Sequence, residues 1–200
     1  MSFLNKIKCL AHKYFIPTLP DELKHGKTER EKQYLKYIDE LLAIVRQDPM
    51  TGLTHKEHFK AQEKKPGVYI LVDGDGLKKI NDTLGHSAGH AAILALSTGI
   101  KGALRGSDVT VTRAGGDEFI VHVEHASIPT GITIAKRILE NIRKQRISEK
   151  YTGADENVKK ALEEMDLKAS LGVGYSEEDA DKALYKAKEK GRNRVEFHKE

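Results

Sequence analysis

The chain has 200 residues, of which 38% are hydrophobic and 32% are charged, and its formal net charge is +4. This length suggests one domain with a substantial core, and the composition is that of a globular protein with a highly charged surface. No apolar run approaches the ~18 residues that a membrane span needs, and the single cysteine excludes an intrachain disulfide and a cysteine zinc cluster. We therefore expect a cytoplasmic protein with no membrane span.

The first 47 residues are interpreted as a helical extension. Residues 16–27 contain two prolines and a glycine, which predict a loop. Thr28 and Glu31 then form a capping-box pattern at the start of a helix that is predicted over about 28–47. The apolar residues that share one face of this helix are Leu35, Ile38, Leu42 and Val45.

Residues 48–200 form the second predicted unit, in which strands and helices alternate. The run GVYILVD at 67–73 predicts a buried strand, and apolar residues recur at helical spacing over 93–104 and 134–142. DVTVTRAGGDEFIVHV predicts two strands joined by a glycine turn, and LKASLGVGY and RVEF predict strands on either side of a helix that ends near Gly191. The order β-α-β-β-α-β-α-β predicts an α+β fold, with an antiparallel or mixed sheet and helices packed on one face.

Two acidic stretches carry the candidate chemistry. The first strand runs into DGDGLKKIND, which places Asp73 at the end of the strand and Asp75 two residues further on. The glycine bend of RAGGDEF supplies Asp117 from another strand, and two carboxylates on neighbouring strands can share a hard cation. In isolation, DGDG also fits a calcium-loop-like turn or a solvated loop, and GGDE also fits an ordinary hairpin bend.

Two further stretches supply candidate nucleotide contacts. INDTLGHSAGH places Asn81, His86 and His90 just after the acidic loop, and an asparagine amide can hydrogen-bond a purine edge in both directions. YKAKEKGRNRV places Lys188 and Arg192 four residues apart at a helix end, where two cations can hold a triphosphate. Such a pair is also common on a solvated helix face.

Four motifs together resemble the GGDEF domain of bacterial diguanylate cyclases. DPMTGL, DGDGLKKINDTLGHSAGH, RAGGDEF and DKALYKAKEKGRNRV match it in order and spacing across roughly residues 48–198, and the signature pentapeptide is intact at Gly115–Phe119. The resemblance implies a fold like that of class III nucleotide cyclases and polymerase palms, with a central mixed sheet flanked by helices. It also implies that two GTP molecules are condensed into cyclic di-GMP, with release of pyrophosphate, across a homodimer.

The resemblance further implies the metal and base contacts. Asp73 and Asp117, with the main-chain carbonyl of Gly74, would bind two Mg²⁺ or Mn²⁺ ions per active site. Glu118 would support these residues or act as a base. Asn81 matches the residue that reads guanine.

The resemblance assigns the phosphates to a second set of residues. Lys188 and Arg192 match the phosphate-holding cations, and Lys78 matches a lysine near the phosphates. The main-chain amides from Gly76 through Leu77 to Lys78 would cradle the β- and γ-phosphates. Leu77 stands where the family favours phenylalanine, which removes no ligand.

His90 is the main departure from the family pattern, which has an aspartate there to read guanine. Neutral imidazole offers one acceptor and one donor, a poorer match to the guanine edge. One interpretation is a relaxed base choice that admits ATP and yields cyclic GMP-AMP or another mixed product. A second is that His90 simply tolerates GTP. A third is a catalytically degenerate module that binds nucleotide or cyclic di-GMP and signals through partner contact.

Regulation leaves further expectations open. Arg105 and Asp108 of RGSD match the family's product-inhibition motif in order, but six residues separate Asp108 from Gly115 where the family has five. A bulge would re-aim Asp108, so an inhibitory site and a plain helix end both remain open. The helix over 28–47 resembles a segment that carries dimer or sensor signals, and an unknown sensor or regulatory partner is expected to act through residues 1–47. A nucleic-acid partner is not expected, because only the pI near 8.9 favours one.

Overall fold

The computed structural model describes residues 29–62, 64–104 and 109–198. They belong to two compact units, Met1–Glu63 and Lys64–Glu200. The domain boundary expected between residues 47 and 48 stays a prediction. Within the described ranges, no helix combines the length and the apolar character that crossing a bilayer requires.

The first unit contains helix α1 (Glu29–Val45), the short strand β1 (Thr54–His55) and helix α2 (Lys56–Ala61). Helix α1 agrees with the helix predicted over about 28–47. The turn after it is shaped by Asp48, whose Oδ1 accepts hydrogen bonds from the main-chain N and the Oγ1 of Thr51 at 2.8 and 2.7 Å. Thr28 and the loop predicted at 16–27 lie outside the described residues.

The second unit alternates strands and helices over the described residues 64–104 and 109–198. Its strands are β2 (Gly67–Gly74), β3 (Val109–Gly115), β4 (Glu118–Glu124), β5 (Ala169–Gly174) and β6 (Val195–Phe197). Its helices are α3 (Leu77–Leu84), α4 (His86–Ala103), α5 (Ile128–Arg143), α6 (Glu156–Glu163) and α7 (Glu177–Glu189), with a 3₁₀ turn at Ile147–Lys150.

The strands of this unit form a mixed sheet in the order β3-β4-β2-β5-β6. Strand β2 pairs with β4 and β5 in antiparallel fashion, β3 pairs with β4 likewise, and β5 and β6 are parallel. Strand β2 is central, and Val68, Ile70 and Val72 are almost completely buried along one of its faces. The predicted α+β class with a mixed sheet is confirmed.

Helices cover both faces of the sheet, so the expectation that they pack on one face was wrong. A Cβ added to Gly131 of α5 would lie 2.9 Å from side-chain carbons of Val68 and Val173. A Cβ added to Gly172 would overlap the main chain of α7 at Leu184. Successive strand residues point to opposite faces, so α5 and α7 lie on opposite sides of β5. Apolar periodicity identifies the buried side of a helix, but it does not say which face of the sheet that helix covers.

Candidate metal and nucleotide site

The two aspartates predicted to bind metal come together at one end of the central strands. Strands β2 and β4 are antiparallel, with Asp73 opposite Glu118. The main-chain N of Gly74 donates to the carbonyl oxygen of Asp117 at 3.1 Å. A Cβ added to Gly74 would lie 3.4 Å from Asp117 Oδ2, so the carboxylate packs directly against this glycine. The sheet register therefore brings together acids that are far apart in sequence.

The predicted glycine bend between two strands is confirmed, and it is closed by a side chain that the sequence did not single out. The register between β3 and β4 shifts between Arg113 and Gly115. Gly116 has a φ of +49°, which lies in the left-handed region. Arg113 donates from Nε and Nη2 to the carbonyl oxygen of Gly116 at 2.9 and 2.8 Å. Arg113 thus stabilises the turn that carries Asp117.

The electrostatics of this corner favour a cation. Burial raises the pKa of the half-buried Asp117 carboxyl, and the charge of Asp73 raises it further. A main-chain hydrogen bond lowers that pKa, Glu118 raises it by a smaller amount, and Lys188 lowers it. Two carboxylates that repel each other are stabilised when a divalent cation lies between them.

The donor set fits Mg²⁺ or Mn²⁺. Carboxylate and main-chain carbonyl oxygens are the ligands that hard divalent cations prefer. Across the described parts of the chain, no group of three or more His, Cys, Asp or Glu side chains forms a complete metal cage. A cation held by Asp73 and Asp117 would therefore take its other ligands from main chain, water and substrate, which is usual for Mg²⁺ at phosphate sites.

Lys188, which the resemblance assigns to phosphate, contacts an acid in this structure. Its Nζ lies 2.8 Å from Asp73 Oδ2, and the two side chains are only 34% and 15% exposed. Lys188 sits one residue before the end of α7, which brings its ammonium group to the tip of β2. The ammonium compensates part of the negative charge at this corner, and its phosphate role stays a prediction.

An open groove of 620 Å³ lies beside the loop that follows β2. Its lining residues are Asp75, Gly76, Lys78, Lys79, Asp82, Thr83 and Arg192. The groove thus brings together Gly76, Lys78 and Arg192, three residues that the sequence predicted to contact phosphate. Gly76 has a φ of +87° and precedes α3, whose first residue is the half-buried Leu77. The first main-chain N–H groups of a helix have no partner within it, so this loop offers donors to an anion.

Arg192 does not continue the helix that carries Lys188. Helix α7 ends at Glu189, and Arg192 has a φ of +63° in the turn that follows. The two cations are therefore held by different elements, one on a helix and one on a turn. The four-residue spacing of Lys188 and Arg192 predicted two cations at one helix end, and it did not indicate that the chain leaves the helix between them.

The residues predicted to read the base lie on helices at the surface. His86 and His90 are exposed in the first turns of α4, and Asn81 is half-buried on α3. A Cβ added to Gly89 would overlap the side-chain oxygen of Asn81. The amide of Asn81 therefore packs against the helical turn that also carries His90. The role of Gly89 was missed, because its only sequence signal is a glycine inside a helical pattern.

The proposed product-inhibition pair lies outside the described residues. Arg105 and Asp108 fall between the end of α4 and the start of β3, so their mutual geometry stays a prediction.

The family model described as "Diguanylate cyclase, GGDEF domain" matches residues 38–194. The chain belongs to the GGDEF family. Diguanylate cyclase A of Treponema denticola is 33% identical over 205 residues, which cover 89% of this chain and 54% of that protein. Probable diguanylate cyclase DgcC of Escherichia coli K12 is 33% identical over 176 residues, or 78% of this chain and 44% of that protein. This GGDEF chain spans about half the length of these curated relatives.

Solved GGDEF structures share the fold. The GGDEF domain of TpbB (YfiN) from Pseudomonas aeruginosa superposes with a TM-score of 0.62 at 26% identity, covering 76% of this chain and 94% of that one. The coiled coil and GGDEF domain of DgcB from Caulobacter crescentus, determined with c-di-GMP, gives a TM-score of 0.69 at 19% identity, with 84% and 93% coverage. At that identity the second likeness shows the fold alone. The predicted GGDEF fold is confirmed.

Proposed function

We propose that this GGDEF chain is a diguanylate cyclase that condenses two GTP molecules into cyclic di-GMP and releases two pyrophosphates. The observation that carries the proposal is the convergence of Asp73 and Asp117 beside a groove lined by Lys78 and Arg192. Membership of the family and relatives named as diguanylate cyclases support the same activity. The described residues of one chain offer one such site, so a product built from two nucleotides requires a homodimer with its sites face to face.

Asp73, Asp117 and the main-chain carbonyl of Gly74 would hold two Mg²⁺ or Mn²⁺ ions. Such ions, when bound, supply Lewis-acid polarisation of the α-phosphate and favour ionisation of the 3′-hydroxyl. Asp117 must be deprotonated to serve as a ligand, and its raised pKa means that it holds its proton more tightly than an exposed aspartate does. Glu118 would support the acids or accept the proton of the 3′-hydroxyl. Its place opposite Asp73 in the register supports that role.

The chain would hold the triphosphate through fixed donors and mobile cations. Main-chain N–H groups of Leu77 and Lys78 at the start of α3 would bind the β- and γ-phosphates, since anions are stabilised at helix N-termini. Lys78 and Arg192 would neutralise the charge across the groove. Lys188 would neutralise Asp73 before nucleotide binds, and its flexible stem allows the ammonium to turn toward a phosphate oxygen.

The test is product formation from defined nucleotides. The purified chain, alone and fused to a parallel dimeric coiled coil, is incubated with Mg²⁺ or Mn²⁺ and with GTP, ATP or both. Products are identified by mass spectrometry. Cyclic di-GMP from GTP alone, lost on chelation, is the expected result. Tight nucleotide binding without product in either form would contradict the cyclase and favour the degenerate signalling module.

A second candidate is the same chemistry with an altered base choice. The observation that favours it is His90, an imidazole on the helical turn against which Asn81 packs. A histidine lacks the paired acceptor oxygens of a carboxylate, so it discriminates less against adenine. A mixed product that forms only when GTP and ATP are both present would support this candidate. Exclusive cyclic di-GMP from the same mixture would contradict it.

A further inference from the structure

Asp75 stands within the acidic motif, yet the protein itself occupies both of its carboxylate oxygens. Ser170 Oγ donates to Asp75 Oδ1 at 2.8 Å, and the main-chain N of Asn193 donates to Oδ2 at 3.0 Å. Ser170 is fully buried on β5, and Asp75 is partly buried. The main-chain N of Asp75 also donates to the carbonyl of Lys168 at 2.9 Å. The carboxylate is thus oriented by β5 and by the turn after α7.

The turn that Asp75 reaches has an unfavourable backbone. Arg192 and Asn193 are consecutive non-glycine residues with φ of +63° and +49°. Left-handed conformations are unfavourable for ordinary residues, because Cβ comes too close to the following carbonyl oxygen, although asparagine tolerates them better. Such a turn persists only where surrounding contacts hold it.

Asn193 is the point at which those contacts meet. Its side-chain oxygen accepts from Arg143 Nε at 3.0 Å, and its carbonyl oxygen accepts from Arg143 Nη2 at 2.7 Å. Its main-chain N–H is taken by Asp75. Arg143 ends α5, so the turn is clamped from the sheet side by Asp75 and from the helix side by Arg143.

We propose that Asp75 is a positioning residue for polyphosphate binding, and not a metal ligand: through Asn193 it fixes the turn that presents Arg192 to the groove. Arg192 and Asp75 line this same groove together with Gly76 and Lys78. The ligand class is the polyphosphate tail of a nucleoside triphosphate, so this inference rests on the proposed function. Arg143 acts on the same turn from the opposite side, and it is a second positioning residue.

The probe is inorganic triphosphate with Mg²⁺, measured by calorimetry on the intact chain, since it carries no base. Asp75→Ala and Arg192→Ala should each weaken binding about tenfold, the equivalent of one charged hydrogen bond. The double variant should be no weaker than either single variant, because Asp75 acts only through Arg192. Asp75→Asn keeps an acceptor oxygen for the Asn193 N–H, and its NH₂ group can donate to Ser170 Oγ, so binding should stay within about twofold of the parent. Asp181→Ala, at an exposed position on α7, is the control.

Three outcomes would overturn the inference. If the loss of triphosphate affinity in the double variant equals the product of the two single losses, Asp75 and Arg192 act independently. Equal losses in Asp75→Asn and Asp75→Ala, accompanied by weaker Mn²⁺ binding in the absence of any phosphate, would make Asp75 a metal ligand. Lack of triphosphate binding by the parent chain would remove the groove as a phosphate site and overturn the inference as well.

Arg143→Met keeps the test decisive if Asp75→Ala fails to fold. Arg143 is exposed and contacts neither acid of the metal corner, so its loss should weaken triphosphate binding without altering Mn²⁺ binding. Unchanged triphosphate binding in this variant would contradict the clamp. The cyclase proposal and the positioning role of Asp75 can fail independently. If the chain makes no cyclic dinucleotide but the Asp75 and Arg192 variants still show coupled losses of triphosphate binding, the positioning role stands and only the proposed activity is contradicted.

Discussion

The two ends of the candidate site are built in different ways. At the metal end, Asp73 and Asp117 are partly buried, their spacing is set by the β2–β4 register, and Lys188 pairs with Asp73. At the base end, His86 and His90 are exposed on the first turns of α4. A contact set by sheet register cannot change at one residue without disturbing its neighbours, whereas an exposed helical side chain can be exchanged freely.

This difference fits the position of His90, which the resemblance marks as the main departure from the family pattern. The acids and the bend are intact at the end of the site that the sheet holds rigid. His90 lies at the exposed end of the site, where a different side chain meets little packing resistance. Variants at the metal end should therefore change the rate of product formation, and variants at the base end should change the choice of nucleotide.

The largest effect is expected at the metal end. Asp117→Asn keeps the shape of the side chain but removes its charge, so cyclic dinucleotide formation should fall by at least about 100-fold, since even supporting residues of metal sites commonly cost 10–100-fold. Product is measured by liquid chromatography and mass spectrometry, with circular dichroism to verify the fold. Asp166→Asn, at an exposed position, is the matched control. Wild-type turnover in Asp117→Asn would remove this residue from the metal site.

A smaller effect, confined to binding, is expected at the junction of α3 and α4. Gly89→Ala places a methyl group where the Asn81 amide lies, so the amide must move. The moving atom ends a flexible side chain, and KM for GTP should therefore rise about tenfold, the equivalent of one lost hydrogen bond, with little change in Tm.

Gly102→Ala supplies the matched control for that change. It adds the same methyl group to the same helix, with its nearest neighbour, Asn141 Nδ2, at 3.6 Å. Its KM should stay at the parent value. Equal KM in the two variants would show that Asn81 does not contact the substrate.

A change in selectivity, without loss of the chemistry, is expected at His90. His90→Asp restores two acceptor oxygens for the guanine edge, so the GTP-to-ATP preference should rise several-fold. Competition between the two nucleotides at a fixed metal concentration measures this ratio. His90→Asn, which offers an acceptor without charge, should fall between the parent and His90→Asp. An identical ratio in all three proteins would mean that this side chain does not face the base.

The smallest effect concerns the sheet that carries the acids. Burial lowers the pKa of His122 below its usual 6.5, and this outweighs the raising effect of Glu124. The unfolded chain therefore binds a proton more readily than the folded one. The stability contribution is complete above about pH 6.5 and is lost as the pH falls toward the lowered pKa. Tm should decrease over that interval, by about 2–4 °C for each kcal/mol lost.

His122→Phe separates this titration from packing. It keeps an aromatic ring against Tyr69, whose ring centroid lies 4.6 Å from that of His122, and it should reduce the slope of Tm against pH. Some slope should remain, because the pKa of His58 is also lowered, by burial and by Arg46. The exposed His125 provides the control, and His125→Asn should keep the full slope. A full slope in His122→Phe would place the acid sensitivity elsewhere.

Local patterns predicted the parts of the site that depend on short stretches of chain. Asp73 ends an apolar run and Asp117 follows two glycines, so each acid could be placed at a strand end, and the mixed sheet then brings them together. The family motifs supplied the match to phosphate and base contacts. They did not anticipate that Lys188 would pair with Asp73, because an ion pair across the site has no signature in either motif.

Distant side-chain pairings account for most of what sequence reasoning missed. The partners of Asp75 are Ser170 and Asn193, 95 and 118 residues further along the chain. No periodicity or spacing encodes such a contact. The sequence did contain a signal against helices on one face only. Gly172 and Gly174 occupy alternate positions of the strand in LGVGY, and glycine at alternate strand positions indicates that another element approaches that face closely.

The order of the strands has a consequence for how this domain folds during its synthesis. Strand β2 is flanked by β4 and β5, which both follow it in the chain, and Asp75 is held by Asn193, 118 residues further along. A nascent chain leaving the ribosome therefore carries Asp73 and Asp75 long before their partners exist. Because contacts of this separation close late and slowly, the groove is completed only when the turn after α7, which carries Arg192, has been synthesised.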